Sequence, residues 1–193
     1  MTIDYYQNNA DEFFNGTINV DMNNIYQQFT KYLPTGALIL DAGCGSGRDS
    51  KAFLDMGHKV DAFDASSEMV KRASEYTGLD VKYAVFDDVT AVDKYDAIWC
   101  CASLLHVPES NLATTLAKLA TALKPNGIWY LSFKYGDTQR EKDGRLFTDI
   151  NERRLTELVS SLSNIDISST WITEDNRPDR NEKWLNVILV KCS

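Results

Sequence analysis

The stretch LILDAGCGSGRDS, residues 38–50, runs from an apolar segment through an acid, Asp41, into three glycines at positions 43, 45 and 47. A short apolar run that breaks on glycine and leads into residues with a helical period reads as a buried strand turning at once into a helix. Such a junction belongs to α/β folds, in which the helix packs back over the sheet that holds its strand.

The rest of the chain repeats the alternation. Val20, Met22, Ile25, Tyr26, Phe29, Tyr32 and Leu33 recur at helical spacing until Pro34 ends the pattern, while residues 1–19 look like a looser leader. After the glycines, RDSKAFLDMG reads as a helix closed by Gly57, and HKVDAFD as a strand that again ends on an acid, Asp64. SSEMVKRASEYTG offers Ser66 as N-cap and Gly78 as terminator, and VKYAVFD and YDAIWCCA read as strands. A helix with Leu112, Leu116, Leu119 and Leu123 on its buried stripe precedes the strand IWYLSFK. A last helix lies within Thr148–Leu162, before strands near DISSTWIT and WLNVILVKC. The pattern predicts an α/β, doubly wound, seven-stranded and mostly parallel sheet with right-handed crossovers. TEDNRPDR is too short and irregular for a parallel crossover, so the final pair is expected as a hairpin, with one antiparallel strand. The expected organisation is a helical leader over residues 1–33, a candidate lid, followed by one domain over 34–193.

Composition narrows the partners. The 193 residues, 44% hydrophobic and 25% charged, suit one soluble globular domain. Twenty basic residues against 28 acidic ones give a net charge of −8, which repels polyanions and argues against nucleic acid as partner. MTIDYYQNNADEFF lacks the basic and apolar regions of a signal segment, and no run approaches the roughly 20 apolar residues of a membrane span. A cytoplasmic location, no membrane partner and a monomer or weak homodimer are expected. Cys44, Cys100, Cys101 and Cys192 show neither a C-x-x-C pair nor a neighbouring His cluster, so reduced thiols and no metal are expected.

The glycine loop has three candidate ligands. A nucleotide triphosphate loop needs a lysine directly after its glycines, and here none appears before Lys51. A dinucleotide fingerprint needs a small residue at position 48, where Arg48 stands, which weakens that reading without removing it. The arrangement D-x-G-x-G-x-G, with Asp64 closing the next strand, fits S-adenosyl-L-methionine, which brings a sulfonium, an ammonium, a carboxylate and a ribose diol. Asp64 is expected to accept from both ribose hydroxyls, and Asp41 to bias the loop toward the cationic end. The helix N-terminus beyond Gly47 faces the anionic part, and Arg48 is a candidate for the carboxylate.

Residues 34–134 resemble the core of class I S-adenosylmethionine-dependent methyltransferases, on the blocks LDAGCGSGRDS, VDAFDASSEMV, YDAIWCCASLLHV and LKPNGIWYLSFK. GCGSGRD and SLLHV are similar to the tellurite-resistance-like small-molecule branch, and FKYG, DGRLF and TEDNRPDR to a bacterial subgroup of it. The resemblance implies methyl transfer to a small molecule. It implies that adenine lies against Ala65 and the end of the third strand, where Asp87 or Asp88 accepts from its amino group. Cys101 and Ala102 would line the methionine side; Ala42, Gly43, Gly45, Ser66, Met69, Ser103 and His106 fall in the same blocks, and Phe86 stands beside Asp87 at the end of the third strand.

Methyl transfer from a sulfonium depends chiefly on alignment, and a base is required only if the acceptor loses a proton. His106, Tyr5, Tyr6 and Tyr135 are the candidates, with a structural, hydrogen-bonded His106 as the plainer reading. Cys100 and Cys101 lie in an apolar strand, where cysteine packs as a small hydrophobe. CASLL stands where an N-P-P-Y block would favour DNA adenine methylation. Arg145, Arg177 and Arg180 lie in C-terminal loops that would gather at one sheet edge, as an anion site or as surface partners of Asp143, Asp175 and Asp179. Tyr5, Tyr6, Phe13 and Phe14 give the leader the aromatics of a lid over the cofactor. Two alternatives remain: a cofactor-binding regulatory protein without turnover, and an NAD-dependent oxidoreductase.

Overall fold

The computed structural model describes residues 2–175, 177 and 181–193. Its main sheet contains β1 (Leu38–Ala42), β2 (Lys59–Asp64), β3 (Lys82–Tyr83), β4 (Tyr95–Cys100), β5 (Leu123–Lys134), β8 (Ile165–Glu174) and β9 (Lys183–Lys191), in the order β3-β2-β1-β4-β5-β9-β8. The pairs from β3 to β5 are parallel, and β9 runs antiparallel to both β5 and β8. The seven strands and the single reversed one agree with the sequence pattern. Strand order reverses between β1 and β4, and a sheet of this kind leaves a crevice beyond the carboxyl ends of its strands at that point.

The helices α3 (Asn23–Thr30), α4 (Arg48–Asp55), α5 (Ser67–Thr77), α6 (Glu109–Ala122) and α7 (Glu152–Ser160) cover the sheet. Parallel register sets Trp99 beside Tyr130, and the two rings stack at 4.0 Å on one face with Phe29 and Phe53. Trp129 falls on the other face, in the cluster that takes the leucine stripe of α6. The turn into α4 depends on Gly47, at φ 79°, since a Cβ there would stand 3.2 Å from the Ala73 Cα. Ser66 caps α5 by accepting from the Met69 N–H at 3.3 Å, and Gly78 ends it at φ 76°.

The leader forms helices, with α1 (Thr2–Asn8) packed on α5 and followed by α2 (Ala10–Thr17); the Leu146 N–H donates to Thr2 Oγ1 at 2.9 Å, and Asp11 pairs with Arg72 at 2.9 Å. Two local expectations are corrected. The strand expected over VKYAVFD pairs only at Lys82 and Tyr83, because Asp88 accepts from the Val85 N–H at 2.9 Å and draws Phe86–Asp88 into a 3-10 turn. A separate two-stranded ribbon, β6 (Gln139–Lys142) with β7 (Arg145–Thr148), lies between β5 and α7. Its turn is Asp143-Gly144, at φ 51° and 71°, the conformation that two-residue hairpin loops require. Among the described residues no helix is long and apolar enough to cross a membrane.

Candidate active site

A cavity of about 430 Å³ opens at the carboxyl ends of β1, β2, β4 and β5, where strand order reverses. Gly43 and Gly45 form part of its wall, and bare backbone is a steric requirement there. Gly43 has φ 80°, and a Cβ on it would stand 2.6 Å from the Ser103 Cβ. Asp64 holds the loop: its carboxylate accepts from the Gly45 N–H and the Ser66 N–H, each at 2.9 Å. Burial pushes the Asp64 pKa up, and those N–H donors work against the rise.

Ala65, Ser66, Met69 and Phe86 continue the wall beside Asp64, and Phe86 meets Phe63 edge to face at 5.5 Å. Between the two acids left open by the sequence, Asp87 lines the cavity and pairs with Lys118 at 2.7 Å, whereas Asp88 serves its own turn. Cys101, Ala102 and Ser103 also line the cavity, and the Ser103 hydroxyl is buried without a partner among the described residues. Burial pushes the Cys101 thiol up to about 12, which leaves it protonated and unsuited to nucleophilic attack.

Ala42, Gly47 and Asp41 stand back from the cavity. Ala42 is buried within β1, and Gly47 is occupied by the contact of α4 with α5. Asp41 is 2% exposed and accepts from the Ser50 hydroxyl. Burial and the neighbouring Asp49 push its pKa well above the ordinary carboxylate range, which disfavours a negative charge at this position. The charge expected of Asp41 sits instead on Asp49, a cavity residue the sequence reading passed over. Asp49 accepts from Arg48 Nε at 2.7 Å, from Trp99 Nε1 at 2.8 Å and from the Tyr26 hydroxyl. Burial acts to raise its pKa, but Arg48 and these donors hold it below the ordinary carboxylate range. Arg48, assigned to the cofactor carboxylate, is thus already ion-paired on the cavity wall.

The remainder of the cavity is lined from α1, the ribbon and the ends of β5, β8 and β9. Tyr6 and His106 meet at 2.7 Å between the hydroxyl and Nε2. The other ring nitrogen, Nδ1, lies 2.6 Å from the Leu146 carbonyl. A carbonyl only accepts, so Nδ1 carries the hydrogen and Nε2 receives the Tyr6 proton donor. Burial pushes the His106 pKa down to about 4, with Arg145 and Lys134 adding to the effect. Burial likewise raises that of Tyr6. Arg177 reaches this lobe but is held by Asp175, with Nε to Oδ1 at 2.8 Å and Nη2 to Oδ2 at 2.6 Å. Arg180 lies outside the described residues. Tyr135 is exposed, donates to Glu152 at 2.9 Å and stands away from the cavity. Trp184 and Phe147 are aromatic walls, and Phe147 carries the Lys134 ammonium 4.3 Å above its ring.

Residues 39–127 match a family model described as a methyltransferase domain. Over that span, a little under half of the chain, the protein is similar to a methyltransferase domain. Over 106 residues it is 37% identical to a ubiquinone biosynthesis O-methyltransferase of Xanthomonas axonopodis pv. citri, a match that covers 51% of this chain and 44% of that protein. Over 103 residues it is 37% identical to a 2-methyl-6-phytyl-1,4-hydroquinone methyltransferase of Synechocystis, covering 50% of this chain and 31% of that one. The chain therefore matches less than half the length of these curated relatives. In fold it is similar to the 1,6-didemethyltoxoflavin-N1-methyltransferase of Burkholderia thailandensis, solved with 1,6-didemethyltoxoflavin and S-adenosylhomocysteine. That likeness has a TM-score of 0.79 at 22% identity and covers 99% of this chain and 85% of the other.

The family match ends at residue 127, inside β5, so the ribbon and its site residues lie beyond it. Arg145 and Phe147 reach the cavity only through that ribbon, which the sequence signalled by the Asp-Gly pair in EKDGRLF. The buried neutral His106 has a measurable consequence. Its folded-state pKa of about 4 lies below the ordinary 6.5, so between these values the unfolded chain takes up a proton that the folded chain refuses. The stabilising contribution is therefore present above pH 6.5 and lost as pH falls through about 4. In urea unfolding, the parent is expected to lose about 3 kcal/mol relative to His106→Gln between pH 7 and pH 4. A difference independent of pH contradicts the neutral ring.

Proposed function

We propose that this protein transfers the methyl group of S-adenosyl-L-methionine to a small-molecule acceptor held in the same cavity. The observation that carries the reading is the continuity of that cavity, which runs from Asp64 and the bare backbone at Gly43 to the Tyr6–His106 pair. When bound, the cofactor supplies an electrophilic methyl on a sulfonium with a neutral leaving group. The donor set suits its parts. Asp64 keeps lone pairs for the ribose hydroxyls after accepting two N–H groups, and the unpartnered Ser103 hydroxyl remains to bind a polar atom. Phe86 and Ala65 would offer apolar surface to the base and Asp87 an acceptor for its amino group, while backbone at Cys101 and Ala102 would border the methionine side.

The acceptor we assign is anionic or a soft nucleophile, since cations and aromatic rings line the second lobe. Where it loses a proton, the unprotonated His106 Nε2 is the receiving atom, through the Tyr6 hydroxyl that already donates to it. The first two helices cover this lobe with Tyr6 and Phe13, and we read them as the lid that keeps water from the reacting atoms. The relatives named above act in ubiquinone biosynthesis and on a hydroquinone, which favours a small-molecule acceptor.

Titration calorimetry with S-adenosylhomocysteine, followed by S-adenosylmethionine turnover with thiols, tellurite, selenite and small carboxylates, tests the proposal. Micromolar binding and release of S-adenosylhomocysteine with one acceptor class support it. Binding without release across all four classes favours a regulatory protein, and binding of NAD(H) in place of S-adenosylhomocysteine overturns the reading.

A further inference from the structure

Four cations line the cavity among the described residues: Arg48, Lys134, Arg145 and Arg177. Three are neutralised at short range, Arg48 by Asp49 at 2.7 Å, Lys134 by Glu182 at 2.6 Å and Arg177 by Asp175 at 2.6 Å. Arg145 differs. The residue is 9% exposed, its Nε is buried without a hydrogen-bond partner, and its nearest carboxylate, exposed Asp143, is 3.6 Å away. A buried guanidinium without a matched anion is costly, and so exposed a pair offsets little of that cost.

The surroundings of Arg145 explain how the group is held. Its guanidinium lies 3.9 Å over the Tyr5 ring and 5.3 Å from that of Phe147. Stacking covers the plane of a guanidinium and leaves its N–H edge, which matches a carboxylate in two parallel hydrogen bonds. Alternation along β7 puts Arg145 and Phe147 on one face of the ribbon, while the Leu146 carbonyl between them holds the His106 ring. The cation and the proton-accepting pair are therefore positioned by three consecutive residues.

We propose that the acceptor lobe takes a small aromatic carboxylate, gripped in its plane by Arg145 with its ring against the aromatic wall of Tyr6, Phe147 and Trp184. The proposal rests on the reading of this lobe as the acceptor site. It makes the ribbon the element that recognises the acceptor, and it separates Arg145 from Arg177, whose charge Asp175 already satisfies.

The test uses full-length protein saturated with S-adenosylhomocysteine, with benzoate as probe and benzamide as its neutral counterpart, followed by calorimetry. Benzoate is expected to bind at least tenfold more tightly than benzamide. Arg145→Gln is expected to weaken benzoate at least tenfold and leave benzamide within twofold, and Arg145→Lys to lie between. Affinity for S-adenosylhomocysteine should stay within twofold in both variants, which reports that each is folded. Equal affinity for the two probes, no benzoate binding, or undiminished benzoate binding in Arg145→Gln overturns the proposal. Failure of the parent to bind S-adenosylhomocysteine is a different result and removes the methyltransferase reading itself.

Discussion

Asp64→Ala is expected to weaken S-adenosylhomocysteine binding by about a hundredfold or more. The carboxylate has two duties, fastening the Gly45 and Ser66 N–H groups and presenting its remaining lone pairs to the cavity. Hydrogen bonds to a charged group contribute about 1.5–3 kcal/mol each. Losing two to the ligand removes about 3 kcal/mol at least, which is two factors of ten in affinity. The alanine also frees the loop whose bare backbone forms the cavity wall, so the deficit exceeds the direct contacts. Asp64→Asn keeps one acceptor oxygen and should fall between parent and alanine. Titration calorimetry on folded variants, checked by thermal unfolding, decides the matter. An alanine variant within threefold of the parent means that Asp64 does not meet the ligand.

Asp49→Asn is expected to cost about 3–5 kcal/mol of stability, because it removes one partner of a buried ion pair and leaves the other. Arg48, Trp99 and Tyr26 all donate to this carboxylate, and an amide in its place turns a donor of its own toward them. For a chain of this size the loss corresponds to a fall in Tm of about 10 °C. The damage reaches the core, since Trp99 and Tyr26 belong to the aromatic cluster on that face of the sheet. A fall of less than 2 °C in a thermal scan contradicts the role given to Asp49.

Much of this was legible in the sequence, for local reasons. Strand and helix periods alternate cleanly from Leu38 to Lys134, and short polar signals mark the caps, as at Ser66 and Gly78. The reversed strand β9 followed from loop length alone, since Thr173–Lys183 has no room for a crossover. What escaped the reading depends on burial that local pattern does not carry. Asp41 and Asp49 are both acids near the glycine loop, and only packing shows that burial disfavours the charge of one while three donors hold the other. Arg145 and Arg177 looked alike as loop cations until Asp175 was seen to neutralise one of them. The two leader helices are short and draw their stability from α5 and the ribbon, contacts that a helical period does not reveal.

The ribbon shares no backbone ladder with the seven-stranded sheet. Its turn and the residues it projects can change in length or identity without disturbing the register of any sheet strand. On the proposed reading, the element that recognises the acceptor is therefore free to vary independently of the strands and loop that hold the cofactor.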